Sequence, residues 1–282
     1  MKLALLGFPL SHSLSPAMHN AALAHVGLRD WRYEAMPVEP ARLAEAVALL
    51  RGDEFAGANV TVPHKENVIP FLDGLTPVAE AIGAVNTVVK RRRPKSSPSP
   101  ASVSEATLER GTGGEVIGHN TDAAGLLADL YAYDALACIS NRPVLILGAG
   151  GAARAAVAAM APLGCEIRLA ARRLEQAQSL ITNNELPITV YDLTVNSLRR
   201  ASDGVALILN CTPVGMSPTV NASPWFESVP FPTGAFVYDL VYNQSDTLLV
   251  KQAHAAGLRA ATGLGMLVEQ GALAFEQWTG KT

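Results

Sequence analysis

The sequence predicts an α/β fold organised on a doubly wound parallel sheet, and three observations carry that prediction. A glycine-rich turn, Gly148-Ala149-Gly150-Gly151-Ala152-Ala153, follows an apolar run of strand length and opens an alanine-rich stretch of helical character. Beyond it, apolar runs recur at 188–191, 205–210 and 235–240, the first two separated by helical material around 195–202. Before it, strand and helix signals alternate from residue 2 to residue 122. At 282 residues the chain is long enough for two cores.

The run Pro143-Val144-Leu145-Ile146-Leu147 suits a strand buried on both faces of a parallel sheet. The turn after it fits G-x-G-x-x-A. Gly148 permits the tight turn, Gly150 lets the backbone approach a pyrophosphate, and the small Ala153 lets helix and strand pack closely. The helix that starts there offers its free N–H groups to the phosphates. Strand, turn and helix in that order point to a Rossmann-like dinucleotide site, with Gly148, Ala149, Gly150, Gly151 and Ala152 against the cofactor. An ordinary strand–helix turn rich in small residues is the plainer alternative.

About twenty residues past the first glycine, an NAD site usually carries an acid on the ribose 2′-hydroxyl. Here the strand over 166–171 ends in Arg172-Arg173, with no acid. A guanidinium pairs with a 2′-phosphate and stacks on adenine, whereas a carboxylate would repel that phosphate. The sequence therefore predicts NADP(H) over NAD(H), the alternative being a solvated basic strand end.

Taken in order, residues 2–6 read as a first strand. The following loop enters Ser11-His12-Ser13-Leu14-Ser15-Pro16, where Ser15 is expected to cap a helix with Pro16 at its first position. That helix carries Met18, Ala21, Ala22 and Val26 on one face and ends near Gly27, leaving Ser13 available for another partner. Residues 31–35 read as a strand, and 40–50 as an amphipathic helix with Leu43, Val47 and Leu50 inward. In Gly57-Ala58-Asn59-Val60-Thr61-Val62-Pro63-His64-Lys65, alternation places Asn59 and Thr61 on one strand face. Lys65 then stands just past the strand end, where α/β enzymes build sites, although by itself it reads as a surface lysine. Thr76-Pro77 starts a helix that Gly83 ends. The strand over 84–89 holds Asn86 within an apolar run, so a buried Asn86 needs partners.

Residues 90–114 lack periodicity and read as an exposed loop between two strands. Thr121 or Asp122 is expected to cap a helix over 123–132, a role that would satisfy Asp122 without catalysis. Loops after 205–210 and 235–240 bring Thr212 and Tyr242 to positions suited to ligand contact. Gly263 then leads into a final helix running to about Trp278.

Composition bounds the function. Hydrophobic residues at 49% and charged residues at 17% describe a globular chain, and a net charge of −3 argues against an extended nucleic-acid surface. Cys138, Cys165 and Cys211 form no paired framework, which points to a reducing compartment. No apolar run reaches membrane-spanning length, and Gly7 and Pro9 interrupt the first one too soon for a signal peptide. A soluble, cytoplasmic protein is expected, with no nucleic-acid or membrane partner. The histidines show no metal-ligand spacing, so no metal site is expected.

Together these segments closely resemble the shikimate dehydrogenase family, over nearly the whole chain. The resemblance rests on Ser13-Leu14-Ser15-Pro16-Ala17-Met18-His19-Asn20, Asn59 to Lys65, Ala84-Val85-Asn86-Thr87, Asn120-Thr121-Asp122, the glycine turn, Asn210-Cys211-Thr212-Pro213 and Met266-Leu267-Val268-Glu269-Gln270, in the family's order. It implies an N-terminal α/β substrate domain over 1–121 and 263–282, and an NADP-binding domain over 122–262, with the last helix folding back on the first domain. It implies that Ser13 and Ser15 hold a substrate carboxylate, and that Asn59, Thr61, Asn86 and Gln270 bind ring hydroxyls with Tyr242 nearby. Thr212 and Gly263 would join the glycine turn and the two arginines at the cofactor. Lys65 and Asp122 would be the catalytic pair beside the carbonyl. The implied reaction is the reversible NADPH-dependent reduction of 3-dehydroshikimate to shikimate, in aromatic amino-acid biosynthesis, by a monomer or homodimer. The chain departs from the family at Ala171-Arg172-Arg173, where Asn-Arg-Thr is usual, at Asn243, where proline is common, and in its longer 91–114 insertion.

Those residue types suit the chemistry. Hydride addition to a ketone leaves charge on oxygen, which must be protonated as it forms. Free lysine is charged near neutral pH and can serve directly as that acid; as a base for the reverse reaction it is hindered by a neighbouring carboxylate. Reduction is therefore the expected direction near neutral pH. Two other readings stay open. A quinate/shikimate dehydrogenase would use NAD or both cofactors, against which Arg172 without an adjacent acid argues. A non-catalytic NADP(H)-binding regulator would be expected to have lost Lys65 or Asp122, and both are present.

Overall fold

The computed structural model describes residues 1–91, 114–139, 142–182, 188–242 and 246–282. Its strands form two six-stranded sheets that follow one another along the chain. In the first, β1 (Lys2–Gly7) runs parallel to β2 (Arg32–Pro37) and β3 (Phe55–Val60). The two-residue β4 (Gly74–Leu75) lies at the far edge, and β5 (Thr87–Arg91) pairs antiparallel with β3 and with β6 (Glu115–His119). The order is β2-β1-β3-β5-β6-β4. Apart from its two ends, the 91–114 insertion lies outside the described residues.

Both faces of this sheet are covered. Ala4 and Leu6 of β1 pack with Leu43, Val47 and Leu50 of α2 (Leu43–Leu50), while Leu3 and Leu5 face Leu23, Phe275 and Trp278. The first helix, α1 (Ser15–His25), corrects two expectations. Its cap position falls on Leu14, and Ser15 is its first residue, making no side-chain cap bond. Its buried stripe is Ser15, His19 and Leu23 at i, i+4 spacing, and Ala21 points to solvent; a histidine in the core displaced the predicted face. The next short helix, α3 (Pro77–Ile82), behaves as read: Thr76 accepts from the Ala79 amide and Gly83 ends it in the left-handed region, φ 67°.

The second sheet is parallel throughout. β7 (Val144–Leu147), β8 (Ile167–Ala171) and β9 (Ile188–Asp192) run outward on one side. β10 (Leu207–Asn210), beside β7, starts the other, followed by β11 (Phe236–Asp239) and β12 (Arg259–Thr262). The order β12-β11-β10-β7-β8-β9 reverses direction at β7/β10, where a doubly wound sheet builds its ligand crevice. Around it lie α4 (Asp122–Ala132), α5 (Gly151–Met160), α6 (Leu174–Thr182), α7 (Val195–Ala201) and α8 (Leu248–Ala255). The sequence reading placed neither α6, α8 nor β12.

The last helix, α9 (Leu264–Thr279), returns to the first sheet, where Trp278 Nε1 donates to the Val88 carbonyl at 3.0 Å. It also crosses α4 closely. A side chain on Gly125 would meet the Gln270 backbone nitrogen at 2.7 Å, so only glycine permits that approach. The amide of Met266, in the first turn of α9, donates to Asp129 of α4 at 3.1 Å, and the Tyr238 hydroxyl donates to the same carboxylate at 2.6 Å.

Candidate active site

Lys65 and Asp122 meet. Lys65 follows the end of β3, on a backbone fixed by bonds from the His64 amide to the Thr61 carbonyl at 2.9 Å and from the Val85 amide to the Lys65 carbonyl at 2.7 Å. Its Nζ donates to Asp122 Oδ2 at 2.6 Å, with the two side chains 17% and 5% exposed. Asp122 is the first residue of α4, and Thr121 at the cap position makes no capping bond. The expected capping role for either residue is therefore replaced. Asn120 Oδ1 accepts from the Asp122 amide at 3.0 Å instead, which leaves the aspartate carboxylate for Lys65 and Asn86.

Asn86, flagged by its place in an apolar run, is 2% exposed and fully engaged. Its Nδ2 lies 2.8 Å from Thr121 Oγ1, 2.8 Å from Asp122 Oδ1 and 3.1 Å from Gln270 Oε1. Two hydrogens serve three acceptors, so one of the three is shared or weakly bonded. Asn59 is also committed: Nδ2 donates to the Asn86 carbonyl at 3.1 Å and to Thr87 Oγ1 at 3.2 Å, and Oδ1 accepts from Tyr33 at 2.7 Å. His19 also hydrogen-bonds the Asn59 side chain. Thr61 stands half-buried just beyond β3, which ends two residues before the predicted alternation did.

The two serines gather next to this cluster. Ser13 Oγ accepts from the Ser15 amide at 3.3 Å, and Ser15 is buried. Burial raises the phenols of Tyr33 and Tyr242; hydrogen bonds from Ser15 and Ser13 respectively pull them back. Gln270 reaches the site from α9, its Nε2 held by the Leu267 carbonyl at 2.8 Å. Sequence reasoning missed Tyr33 and His19. His19 stacks on Tyr33 with ring centroids 4.4 Å apart, and burial lowers its pKa to about 4. The only signal for it was its place inside the Met18-His19-Asn20 block.

The residues predicted for a cofactor line the C-terminal edge of the parallel sheet. Gly148 follows β7 with φ 110°, and a side chain there would meet Cys211 and Thr212 at 3.2 Å. Ala149 is buried, and Gly150 precedes α5, whose first turn carries no side-chain cap. A Cβ on Gly150 would come no nearer than 4.0 Å to another group, so the uncapped amides have room for a phosphate. Ala152 sits half-buried in the same turn. Arg172 and Arg173 are exposed just past β8. Thr212 is tied to Asn210 Oδ1 by its amide at 2.9 Å and its hydroxyl at 2.7 Å; Asn210 in turn donates to buried Asp239 at 2.8 Å. Gly263, after β12, sits where a side chain would strike the Leu240 carbonyl at 2.6 Å.

Between the two groups of residues, the Lys65 loop meets the start of α5. A Cβ on Gly151 would lie 2.9 Å from Lys65 Cβ, so the lysine rests against the start of α5. At the rim, Ser217 Oγ and His12 Nε2 are 2.9 Å apart.

A relative from Moorella thermoacetica, named shikimate dehydrogenase (NADP(+)), is 42% identical over 287 residues, covering 99% of this chain and 88% of its own. The chain belongs to the shikimate dehydrogenase family. A second relative of the same name, from Salinibacter ruber, is 41% identical, covering 98% of this chain and 90% of its own. The family's substrate binding domain profile matches residues 5–88, and that of the shikimate 5′-dehydrogenase C-terminal domain matches 263–282. Among solved structures, the shikimate 5-dehydrogenase of Thermus thermophilus with NADP(H) and shikimate is 36% identical, with a TM-score of 0.78, covering 100% of this chain and 94% of that one. The Listeria monocytogenes enzyme with shikimate and NAD is 31% identical, with a TM-score of 0.80, covering 99% and 92%.

Proposed function

We propose that this protein is an NADP(H)-dependent shikimate dehydrogenase, reducing 3-dehydroshikimate to shikimate and running the reaction in reverse. The observation that carries this reading is the buried Lys65–Asp122 pair, set against the start of α5 and beside a wall of hydroxyl and amide groups. Ser13, Ser15 and Tyr242 are suited to a carboxylate, offering hydroxyl donors at one end of the site. Thr61, Asn86 and Gln270 face the ring hydroxyls, with Asn59 mainly holding Asn86 and Tyr33 in place.

NADPH, held by the 148–152 turn, Thr212, Gly263 and the two arginines, supplies the hydride. As hydride reaches the carbonyl carbon, the C=O electron pair moves to oxygen, and Lys65 Nζ donates the proton that neutralises it. Asp122 Oδ2 keeps that ammonium aimed, and Asn86 keeps Asp122 aimed through Oδ1. Solvent restores the proton to lysine; oxidation reverses each movement. The exposed Arg172-Arg173 pair just past β8, with no acid beside it, supports preference for a 2′-phosphorylated cofactor.

The reading includes the division into a substrate domain, 1–121 with 263–282, and a cofactor domain, 122–262, in a cytoplasmic enzyme acting on small molecules. Among the described residues no helix is long and apolar enough to cross a membrane. The test follows absorbance at the reduced-nicotinamide band with shikimate or quinate, each with NADP+ or NAD+. Turnover fastest with shikimate and NADP+ is expected. Turnover fastest with quinate and NAD+ would favour the quinate/shikimate alternative, and absence of turnover with every pair would sink the enzyme reading.

A further inference from the structure

The loop carrying Lys65 and the helix starting at the glycine turn are joined by two charges that the chemistry above does not use. Glu66, next after Lys65, accepts through Oε2 from Arg154 Nε at 3.1 Å, with side chains 32% and 11% exposed. Arg154 lies in the first turn of α5 and also donates from Nη2 to Ser179 Oγ of α6 at 3.2 Å. Its Nη1 lies 3.2 Å from where Gly83, at the end of α3, would carry a Cβ. One largely buried guanidinium thus ties the Lys65 loop and α6 to the start of α5, close to the end of α3.

The carboxylate is placed unusually. Glu66 Oε1 is 4.0 Å from the Cβ position of Gly150, beside the helix end where cofactor phosphates would lie. Alone it would oppose those phosphates, and Arg154 offsets its charge. A pair serving stability only has no need of that position, and partly exposed ion pairs contribute little to stability.

We propose that Glu66 and Arg154 are positioning residues for hydride transfer: the pair anchors the Lys65 loop to the first turn of α5, so that the lysine ammonium is set relative to the cofactor seated there. This rests on the dehydrogenase reading above. Backbone bonds tie the loop to its own sheet, and the lysine tip reaches Asp122; Glu66–Arg154 and the Lys65–Gly151 contact tie the loop to the start of α5.

The test compares the wild-type chain with Glu66→Gln, Arg154→Gln and the double variant, in kcat, KM for shikimate, Kd for NADP+ and thermal unfolding. Glu66→Gln is expected to lower kcat between about 10-fold and 100-fold, with the shikimate KM within about twofold. It should bind NADP+ several-fold more tightly, because a negative charge has left the phosphate seat. Arg154→Gln should lower kcat comparably but bind NADP+ more weakly, because Glu66 then stands uncompensated. The double variant should turn over no more slowly than the worse single one. If Arg154→Gln does not fold, Arg154→Lys keeps a charge beside Glu66 and is expected to hold NADP+ affinity while lowering kcat. Opposite cofactor shifts from the two partners are a result that a purely structural pair does not give. Unchanged kcat in Glu66→Gln, cofactor shifts of one sign, or multiplied kcat losses in the double variant would overturn the proposal. A wild-type chain inactive on shikimate with NADP+ would instead count against the dehydrogenase reading itself.

Discussion

Asn86 governs what Asp122 can do. Its amide donates to Asp122 Oδ1 while Lys65 occupies Oδ2, so both carboxylate oxygens are spoken for and the side chain cannot swing to cap α4. The lysine is held in turn by Asp122. On the proposed reading, replacing Lys65 with Ala removes the proton donor and spares the serines, Asn86 and Gln270. We expect kcat to fall by about 10²- to 10⁴-fold while shikimate still binds, checked by steady-state kinetics alongside a binding titration. Turnover near the wild-type rate would remove Lys65 from the chemistry. At this scale the sequence was half legible. Lys65 and Asp122 each had a plain reading, as surface lysine and helix cap, and only the family pattern joined them. Asn86 announced itself as a polar group among apolar neighbours. Glu66 and Arg154 gave no signal, because 88 residues separate two ordinary charged side chains whose proximity only the fold creates.

At the scale of elements, α1 shows where periodicity misleads. A helix whose buried stripe includes a histidine does not look amphipathic in the usual sense, and the apolar residues named from sequence fell partly on the wrong side. His19 Nε2 has no hydrogen-bond partner and its ring lies against Tyr33 and Trp278, so protonation must place a charge among aromatic rings. Its folded pKa, about 4, is below the ordinary 6.5, so the unfolded chain binds more protons between those values. Stability contributed by neutral His19 is present above pH 6.5 and is lost as pH falls towards 4, by up to roughly 3 kcal/mol. Asp239 acts oppositely: burial raises its carboxyl to about 6, so the fold loses stability as pH rises from 3.8 towards 6. A His19→Phe variant keeps the ring packing and leaves Asp239 untouched. Urea unfolding at pH 7 and pH 5 should show a smaller acid loss in the variant than in the wild type; equal losses would refute this account. β12 escaped notice for a related reason. Its Arg-Ala-Ala-Thr sequence has little strand character, and only parallel pairing along β11 makes it a strand.

For the whole molecule, the doubly wound sheet brings the loops after its six parallel strands to one edge, and the reversal between β7 and β10 opens that edge beside Lys65. That architecture was legible because a glycine turn between a buried strand and a helix constrains everything packed around it. Arg172 and Arg173 are exposed just past the end of β8 at this edge, and on the proposed reading they meet the 2′-phosphate of the cofactor. Replacing Arg172 with Ala should weaken NADP+ binding by about 10-fold or more, the worth of a charge-assisted phosphate contact, and leave NAD+ binding nearly unchanged. Titrations of both cofactors against wild type and variant decide it; equal weakening of the two would show that the arginine does not read the 2′-phosphate.

The return of α9 to the first sheet bears on how the enzyme comes into being at the ribosome. A nascent chain extended as far as β12 has every described strand, yet it lacks Gln270 and the Trp278 indole that closes over Val88. Asn86 is therefore short of one partner, and Leu3, Leu5 and Leu23 lack part of their cover, until α9 emerges and docks. The proposed site would be completed by a segment made after every strand it leans on.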